Sequence, residues 1–140
     1  MGLAQLTFEG KNKVEVATMR LKEFEPPEGY FLAFSGGKDS VVLYELAVKS
    51  GVSFDAHYNN TGIDPPELVK FIRQHYPQVK WERPLVTIWK LIEQHSLPRR
   101  QARFCCEYLK EHTGIGRVVL TGVRWEESAQ RKRRSMVESS

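Results

Sequence analysis

Short apolar runs alternate along the chain with longer stretches in which apolar residues recur at helical spacing. An apolar run of roughly four to eight residues between turn residues is typical of a buried strand. Such runs predict strands at residues 30–34 and 117–123, the alternation of apolar and polar residues predicts one at 52–58, and residues 79–84 are predicted as a further strand. Residues 41–48 are also apolar, but the run is too long for a strand and stops at Gly51, so it predicts a helix.

Capping residues predict further helices. Asn12 and Glu15 have the spacing of a capping box and predict a first helix, which ends at "PPEG". Thr87 predicts the start of a helix that continues to about His95. Residues 101–112 are predicted to form one more helix.

A helix is also predicted after the second strand. Asp64, Pro65 and Glu67 suit the N-cap, first and third positions of a helix that ends near His75. The resulting alternation of strands and helices predicts a three-layer α/β/α fold with a mostly parallel sheet. We divide the chain into an N-terminal helical segment, residues 1–28, and a nucleotide-binding domain, residues 29–140.

Composition limits the class of protein. The chain has 140 residues, 41% of them hydrophobic, which is ordinary for a soluble domain with a core. No apolar run is long enough to span a bilayer and the N-terminus lacks a signal-peptide pattern, so we expect a cytoplasmic protein with no membrane partner. The net charge of +4 equals the charge of the run "RKRR" between Arg131 and Arg134, so the excess is local.

The segment "SGGKDS", residues 35–40, joins the first predicted strand to the next helix. Its two glycines allow positive φ and leave room for a ligand, and the helix that starts at about Lys38 or Asp39 directs free N–H groups into the loop. With the hydroxyls of Ser35 and Ser40, these groups predict a phosphate or sulfate site. Neither a Walker A nor a dinucleotide pattern is present. The alternative is a tight turn in which Asp39 only caps the helix.

Several segments together resemble a known family. "SGGKDS" is similar to the SGGxDS signature of the PP-loop superfamily, the N-type ATP pyrophosphatases. "YNNTGIDPPE" resembles the D-T-G-x-x-x-P-E segment of the phosphoadenylyl-sulfate (PAPS) reductase family. "RFCCEYLK" and "TGVRWEESAQR" resemble that family's R-x-C-[CT]-x-x-L-K and G-x-R-x-x-E-S segments. The resemblance implies an adenine nucleotide α-hydrolase-like fold.

The resemblance also implies roles for individual residues. Members of the family bind ATP, adenylyl sulfate or PAPS; some reduce the activated sulfate to sulfite, and relatives activate sulfate or move sulfur into tRNA or DNA. Carried over by position, the nucleotide- and phosphate-binding residues would be Ser35, Gly36, Gly37, Lys38, Asp39, Ser40, Thr61, Gly62, Gly122, Arg124, Glu127 and Arg131. Glu127 would orient an arginine or hold Mg²⁺ through water. Arg124 is alternatively a surface residue paired with Glu126 or Glu127.

Two departures from the family pattern bear on function. Asn60 stands where members usually have Asp, which leaves the nucleotide preference open. Reductases of the family use a cysteine in a later segment, and cluster-binding members add a later C-x-x-C, but Cys105 and Cys106 are the last cysteines here. They would ligate an iron–sulfur cluster only with thiolates from elsewhere, so we expect no cluster in this chain alone. Their alternative role is a buried apolar pair.

Three functions therefore stay open, and no catalytic residue is assigned. The first is a PAPS reductase-like oxidoreductase, or a sulfur or adenylyl transferase, of sulfur metabolism; its partner would be a reductant protein or a second copy of the chain. The second is ATP-dependent adenylation or sulfur transfer onto tRNA or DNA, contacted through the basic run. The third is a C-terminally truncated or catalytically incomplete nucleotide-binding domain. The basic run is alternatively a solvated tail, or closes on the substrate's phosphates.

Overall fold

The computed structural model of the chain describes residues 10–99 and 113–124, together with Arg133 and Ser135. Its helices are α1 (Lys13–Glu23), α2 (Lys38–Ser50), α3 (Pro66–His75) and α4 (Ile88–His95). Its strands are β1 (Tyr30–Ala33), β2 (Phe54–Asn59), β3 (Lys80–Glu82) and β4 (Val119–Leu120). The predicted helix at residues 101–112 lies outside the described residues.

The strands form a parallel sheet in the order β3-β2-β1-β4. On one side β1 pairs with β2, Tyr30 lying opposite Phe54, and on the other it pairs with β4, Phe31 lying opposite Val119. The predicted fold class, a three-layer α/β/α fold with a parallel sheet, is confirmed. None of the helices in the described ranges is long and apolar enough to cross a bilayer.

The main core lies between one face of the sheet and the helices α2 and α3. Alternate residues of a strand point to the same face, and Tyr30, Leu32 and Phe34 all lie in this core. Tyr44 and Ala47 of α2 and Ile72 of α3 complete it, each less than a tenth exposed. This packing fixes the start of α2 above the end of β1, where the site described below lies.

The opposite face of the sheet carries a network of charged side chains. Arg117 donates to Asp55 through both Nη1 (2.8 Å) and Nη2 (2.5 Å), and it also donates to the carbonyl oxygen of Gly29. His57 is stacked on Phe31, with its Nδ1 2.7 Å from Oε1 of Glu82 and its Nε2 against the Asp55 carboxylate. The Arg117 guanidinium, more than the His57 ring, holds the pKa of Asp55 well below its usual range.

Most helix ends follow the capping residues seen in the sequence. Asn12 Oδ1 accepts from the Val14 amide at 3.0 Å, Thr87 Oγ1 accepts from the Lys90 amide at 3.4 Å, and Gly51 ends α2 with a φ of 73°. These three predictions are confirmed.

The predicted cap of α3 is wrong by one residue. The N-cap is Pro65, without a side-chain cap, and the helix begins at Pro66. Asp64 does not cap it, because its Oδ2 accepts a hydrogen bond of 2.6 Å from the buried Tyr58 hydroxyl. The tertiary hydrogen bond with Tyr58 thus occupies the Asp64 carboxylate that the sequence pattern predicted as the helix cap.

Candidate functional site

The carboxyl ends of β1 and β4 form a switch point of the sheet, and we call the region just beyond these two strand ends the crevice. From β1 the chain passes through α2 to β2 on one side, whereas β4 lies on the other side. Such a reversal of direction is where open parallel sheets bind ligands, because the loops after the two strands diverge there. The loops that flank this crevice are residues 34–37, which lead into α2, and residues 121–124, which follow β4.

Gly36 shapes the first loop through its backbone. Its φ is +75°, in the left-handed region that favours glycine. A β-carbon at this position would lie 2.7 Å from Cδ1 of Leu68 and 2.9 Å from Cδ1 of Ile72, both on α3. The loop therefore rests directly on α3, and no larger residue fits without displacing those side chains.

Gly37 differs from Gly36. It is the N-cap of α2, and its φ of −76° is accessible to any residue. A β-carbon there would meet only Ser35 Oγ, at 3.4 Å, which is an ordinary contact distance. Of the two glycines that allow positive φ in this loop, only Gly36 therefore adopts it. Neither backbone strain nor packing within the described residues requires a glycine at this position.

The hydroxyl groups of the two serines form hydrogen bonds mainly with other groups of the same loop. The Ser40 hydroxyl is buried and donates to the carbonyl oxygen of Gly37 at 2.8 Å, while Ser35 Oγ donates to Ser40 Oγ at 3.2 Å. The Gly37 amide in turn donates to Ser35 Oγ at 3.4 Å. Ser40 therefore holds the loop in shape, and its predicted role as a ligand donor stays a prediction. Ser35 is exposed at the surface of the loop.

The first turn of α2 supplies positive electrostatic potential at the crevice. The amides in the first turn of a helix have no carbonyl partner within the helix, and the helix dipole adds a partial positive charge there. In α2 this turn consists of Lys38, Asp39 and Ser40. The Lys38 side chain is exposed and adds a full charge. The combination suits an anion such as phosphate or sulfate.

The loop after β4 lies against the same turn. A β-carbon on Gly122 would stand 3.0 Å from the carbonyl carbon and oxygen of Asp39 and 3.3 Å from the Ser40 nitrogen. Two residues further on, Arg124 Nε donates to Asp39 Oδ2 at 3.1 Å. The structure thus brings together Gly122 and Arg124 with the "SGGKDS" loop, although 85 positions separate Arg124 from Asp39 in the chain. Glu126 and Glu127, the partners considered from sequence, lie outside the described residues.

The loop after β2 lies one strand further along the same edge. Thr61 is buried, and its Oγ1 accepts from the Ile63 amide at 3.4 Å. Gly62 is exposed with a φ of +78°, and its amide donates to Asn60 Oδ1 at 3.3 Å. Asn60 therefore supports the turn through an oxygen that an aspartate would also supply, so this departure from the family pattern preserves the turn. This loop is joined to β3 by a hydrogen bond from the Asn60 amide to the Glu82 carbonyl oxygen.

Tyr58 fixes the far end of this loop. Its side chain is almost fully buried, and its hydroxyl donates to Asp64. Burial, reinforced by the Asp64 carboxylate, raises the pKa of Tyr58 well above its usual range. The phenol therefore keeps its proton at neutral pH and donates it in the hydrogen bond to Asp64. This bond fixes the position of Asp64 between Gly62 and the start of α3.

Several residues predicted for the site cannot be placed. Glu127, Arg131, Cys105 and Cys106 lie outside the described residues, and of the basic run only Arg133 is described, as exposed. Within the described ranges, no three His, Cys, Asp or Glu side chains are arranged to hold a metal ion. The role of the two cysteines and of Glu127 with Mg²⁺ therefore stays a prediction.

The sheet order and the loop geometry define an α/β protein in which a helix begins at the switch point of a parallel sheet, a position that suits an anion. A sequence model of the phosphoadenosine phosphosulfate reductase domain matches residues 29–140. The chain belongs to this family, and the resemblance seen in its motifs is confirmed.

A curated relative is Uncharacterized protein MJ0066 of Methanocaldococcus jannaschii, which is 31% identical over 83 residues. The match covers 56% of this chain and 17% of the relative. The chain thus spans less than a fifth of the length of the protein that it matches, so what the whole relative does is not transferred to it.

Proposed function

We propose that this chain binds an adenine nucleotide and holds the phosphate or phosphosulfate end in the crevice between β1 and β4. The observation that carries the proposal is the meeting of Arg124 and Gly122, from beyond β4, with the first turn of α2, from beyond β1. Membership of a family named for phosphoadenosine phosphosulfate supports the choice of ligand.

The charges in the crevice suit this ligand. A phosphosulfate or triphosphate carries several negative charges, more than the amides of one helix start offset. Lys38 provides a point charge, and Arg124 provides a planar guanidinium that can pair with two phosphate oxygens at once. Both side chains are solvent-accessible at the crevice, so an incoming anion can reach them.

Gly37 gives independent support. The fold itself does not require a glycine there, since φ is ordinary and a β-carbon would meet only Ser35 Oγ. A bound anion that approaches the amides of Lys38 and Asp39 would require one, because a side chain at the N-cap would stand in its path. Apart from its modest preference at a helix N-cap, this glycine has no structural reason among the described residues, and a ligand cradle predicts a glycine at this position.

The chemistry that follows binding belongs to the same proposal. We place the chain among enzymes, or the nucleotide-binding parts of enzymes, that act on an adenylylated sulfur compound, with a reductant protein or a sulfur acceptor as partner. Arg124 would stabilise negative charge that develops on the departing nucleotide. Mg²⁺ would accompany a triphosphate, since it commonly bridges phosphate oxygens with few protein ligands.

Calorimetric titration of the purified chain with ATP, adenylyl sulfate and PAPS tests the proposal. Adenylyl sulfate or PAPS is expected to bind more tightly than ATP. Gly37→Ala is expected to weaken that binding by tenfold or more, while costing at most about 1 kcal/mol of folding stability as a poorer helix cap. Absence of heat with all three ligands would overturn the proposal.

Gly36→Ala is the matched control for this variant. Positive φ costs a residue with a β-carbon about 1–2 kcal/mol, and the new methyl group must also displace Leu68 and Ile72. Thermal melting should therefore separate the neighbouring substitutions: Gly36→Ala lowers Tm strongly, whereas Gly37→Ala mainly lowers affinity. If Gly37→Ala kept full affinity, the first turn of α2 would not be the anion site.

A further inference from the structure

A carboxylate lies in the middle of the proposed anion site. Asp39 is the second residue of α2, with its side chain about one-third exposed at the crevice. A negative charge in this turn is favourable to the empty helix, because it complements the dipole. The same charge repels an incoming phosphate, so considered alone Asp39 should weaken the binding of a nucleotide.

The contact between Asp39 and Arg124 suggests why a carboxylate is nevertheless present. Asp39 accepts through Oδ2 from Nε of Arg124 at 3.1 Å. A hydrogen bond from Nε, the guanidinium nitrogen nearest the aliphatic part of the side chain, orients the plane of the guanidinium. The outer edge, formed by the two terminal nitrogens, is the one that pairs with two oxygens of a phosphate. A hydrogen bond from Nε to Asp39 is therefore compatible with an anion at the terminal nitrogens of Arg124.

We infer that Asp39 is a positioning residue for Arg124: it turns the guanidinium so that its terminal nitrogens face the phosphate or phosphosulfate bound at the first turn of α2. This inference rests on the proposed function. The orientation gained through Arg124 outweighs the repulsion between Asp39 and the ligand, since the Asp39 charge is neutralised by the same pair. Arg124 is half-exposed and comes from a loop, and a hydrogen bond that orients its side chain before binding reduces the conformational entropy lost when an anion binds.

If Asp39 has this role, its removal should change the affinity for the ligand in the opposite direction from that expected of electrostatic repulsion alone. If Asp39 only repels the ligand, Asp39→Ala raises affinity for an anion. If Asp39 positions Arg124, Asp39→Ala lowers affinity, by about tenfold for the loss of one charge-assisted hydrogen bond. Asp39→Asn keeps an acceptor for Nε without the charge, so it should restore much of the affinity that Asp39→Ala loses.

A double-mutant cycle tests the inference. PAPS and, in parallel, ATP are titrated calorimetrically in EDTA, so that a metal held by Asp39 cannot contribute, into the wild type, Asp39→Ala, Arg124→Gln and the double variant. Asp39→Ala is expected to lower affinity in the wild-type background and to raise it, or leave it unchanged, in the Arg124→Gln background. Glu45→Ala, on an exposed position of the same helix, is the matched control for removing one negative charge.

The outcomes separate the inference from the proposed function. Loss of affinity to the same factor in both backgrounds, or a gain in both, would overturn the inference while nucleotide binding stands. Equal affinities of Asp39→Asn and Asp39→Ala would also overturn it. A wild-type chain that binds neither PAPS nor ATP would overturn the proposed function, and the positioning role with it.

Discussion

Gly122 packs so closely on Asp39 that a β-carbon at position 122 would stand 3.0 Å from the Asp39 carbonyl group. The neighbour is backbone in the first turn of a helix, which cannot rotate away as a flexible side chain can. The loop after β4 and the start of α2 are thus in direct contact, and this contact fixes the position of one against the other.

Gly122→Ala is therefore expected to force the two walls of the crevice apart. Overpacking of this kind typically costs about 1–3 kcal/mol, and the shift moves Arg124 away from Asp39. Urea unfolding and PAPS titration should show both effects, reduced stability and weaker binding. Thr121→Ala, at the exposed preceding position, is the control. Wild-type affinity in Gly122→Ala would show that the loops are not in contact in solution.

Acid should destabilise the protein through Asp55. Because Arg117 holds the pKa of Asp55 below its usual range, the ionised carboxylate stabilises the folded state at pH values above the unfolded pKa of about 3.9. That contribution is lost as the pH falls below this value, since protonation breaks the pair with Arg117. Asp55→Asn should therefore lower stability at pH 7 by about 1.5–3 kcal/mol, the range for hydrogen bonds to charged groups, and flatten the acid limb of the stability curve.

The measurement is urea unfolding from pH 2 to pH 7 for the wild type, Asp55→Asn, Arg117→Gln and the double variant. If Asp55 and Arg117 form an ion pair, the double variant should lose less free energy of unfolding at pH 7 than the sum of the losses in the two single variants. Additive losses, or an unchanged acid limb in Asp55→Asn, would contradict the assignment.

Alkali should destabilise the protein through Tyr58. The pKa of this phenol is raised in the folded state by burial and by Asp64. A raised pKa gives a contribution that is complete below the unfolded pKa of about 10 and is lost at higher pH, since the folded state resists losing the proton. Tyr58→Phe should cost about 1.5–3 kcal/mol at neutral pH and reduce the loss of stability above pH 10.

Asp64→Asn provides the comparison for this prediction. It keeps the phenol but removes the carboxylate, so it should lower the stability at neutral pH less than Tyr58→Phe does. Unfolding by urea at pH 7 and pH 10.5 distinguishes the two variants. An alkaline limb that is the same in Tyr58→Phe and the wild type would show that Tyr58 does not control it.

Local signals in the sequence were enough for most of the fold. The left-handed conformation of Gly51 and the helix cap at Thr87 depend only on neighbouring residues, and both features occur at the predicted positions. β4 is shorter than the predicted 117–123, since only Val119 and Leu120 pair with β1, opposite Phe31 and Leu32. The extent of a strand depends on its pairing with a neighbour, which the residues of the strand alone do not determine.

The candidate site was predictable in its loops but not in its contacts. The family motifs placed Gly122 and Arg124 near the "SGGKDS" loop, and the structure brings them there. The pairing of Arg124 with Asp39, and of Arg117 with Asp55, joins residues 85 and 62 positions apart. Nothing in the charge pattern around either arginine marks its partner, since only the sheet order places them together.

The order β3-β2-β1-β4 also has a consequence for biosynthesis. The glycine loop leaves the ribosome early, with β1, whereas Arg124 follows some eighty residues later. During synthesis, the loop at residues 34–37 is therefore present long before the loop at residues 121–124, which forms the other side of the crevice. If the chain binds a nucleotide as proposed, the nascent chain should retain it only after β4 has docked beside β1.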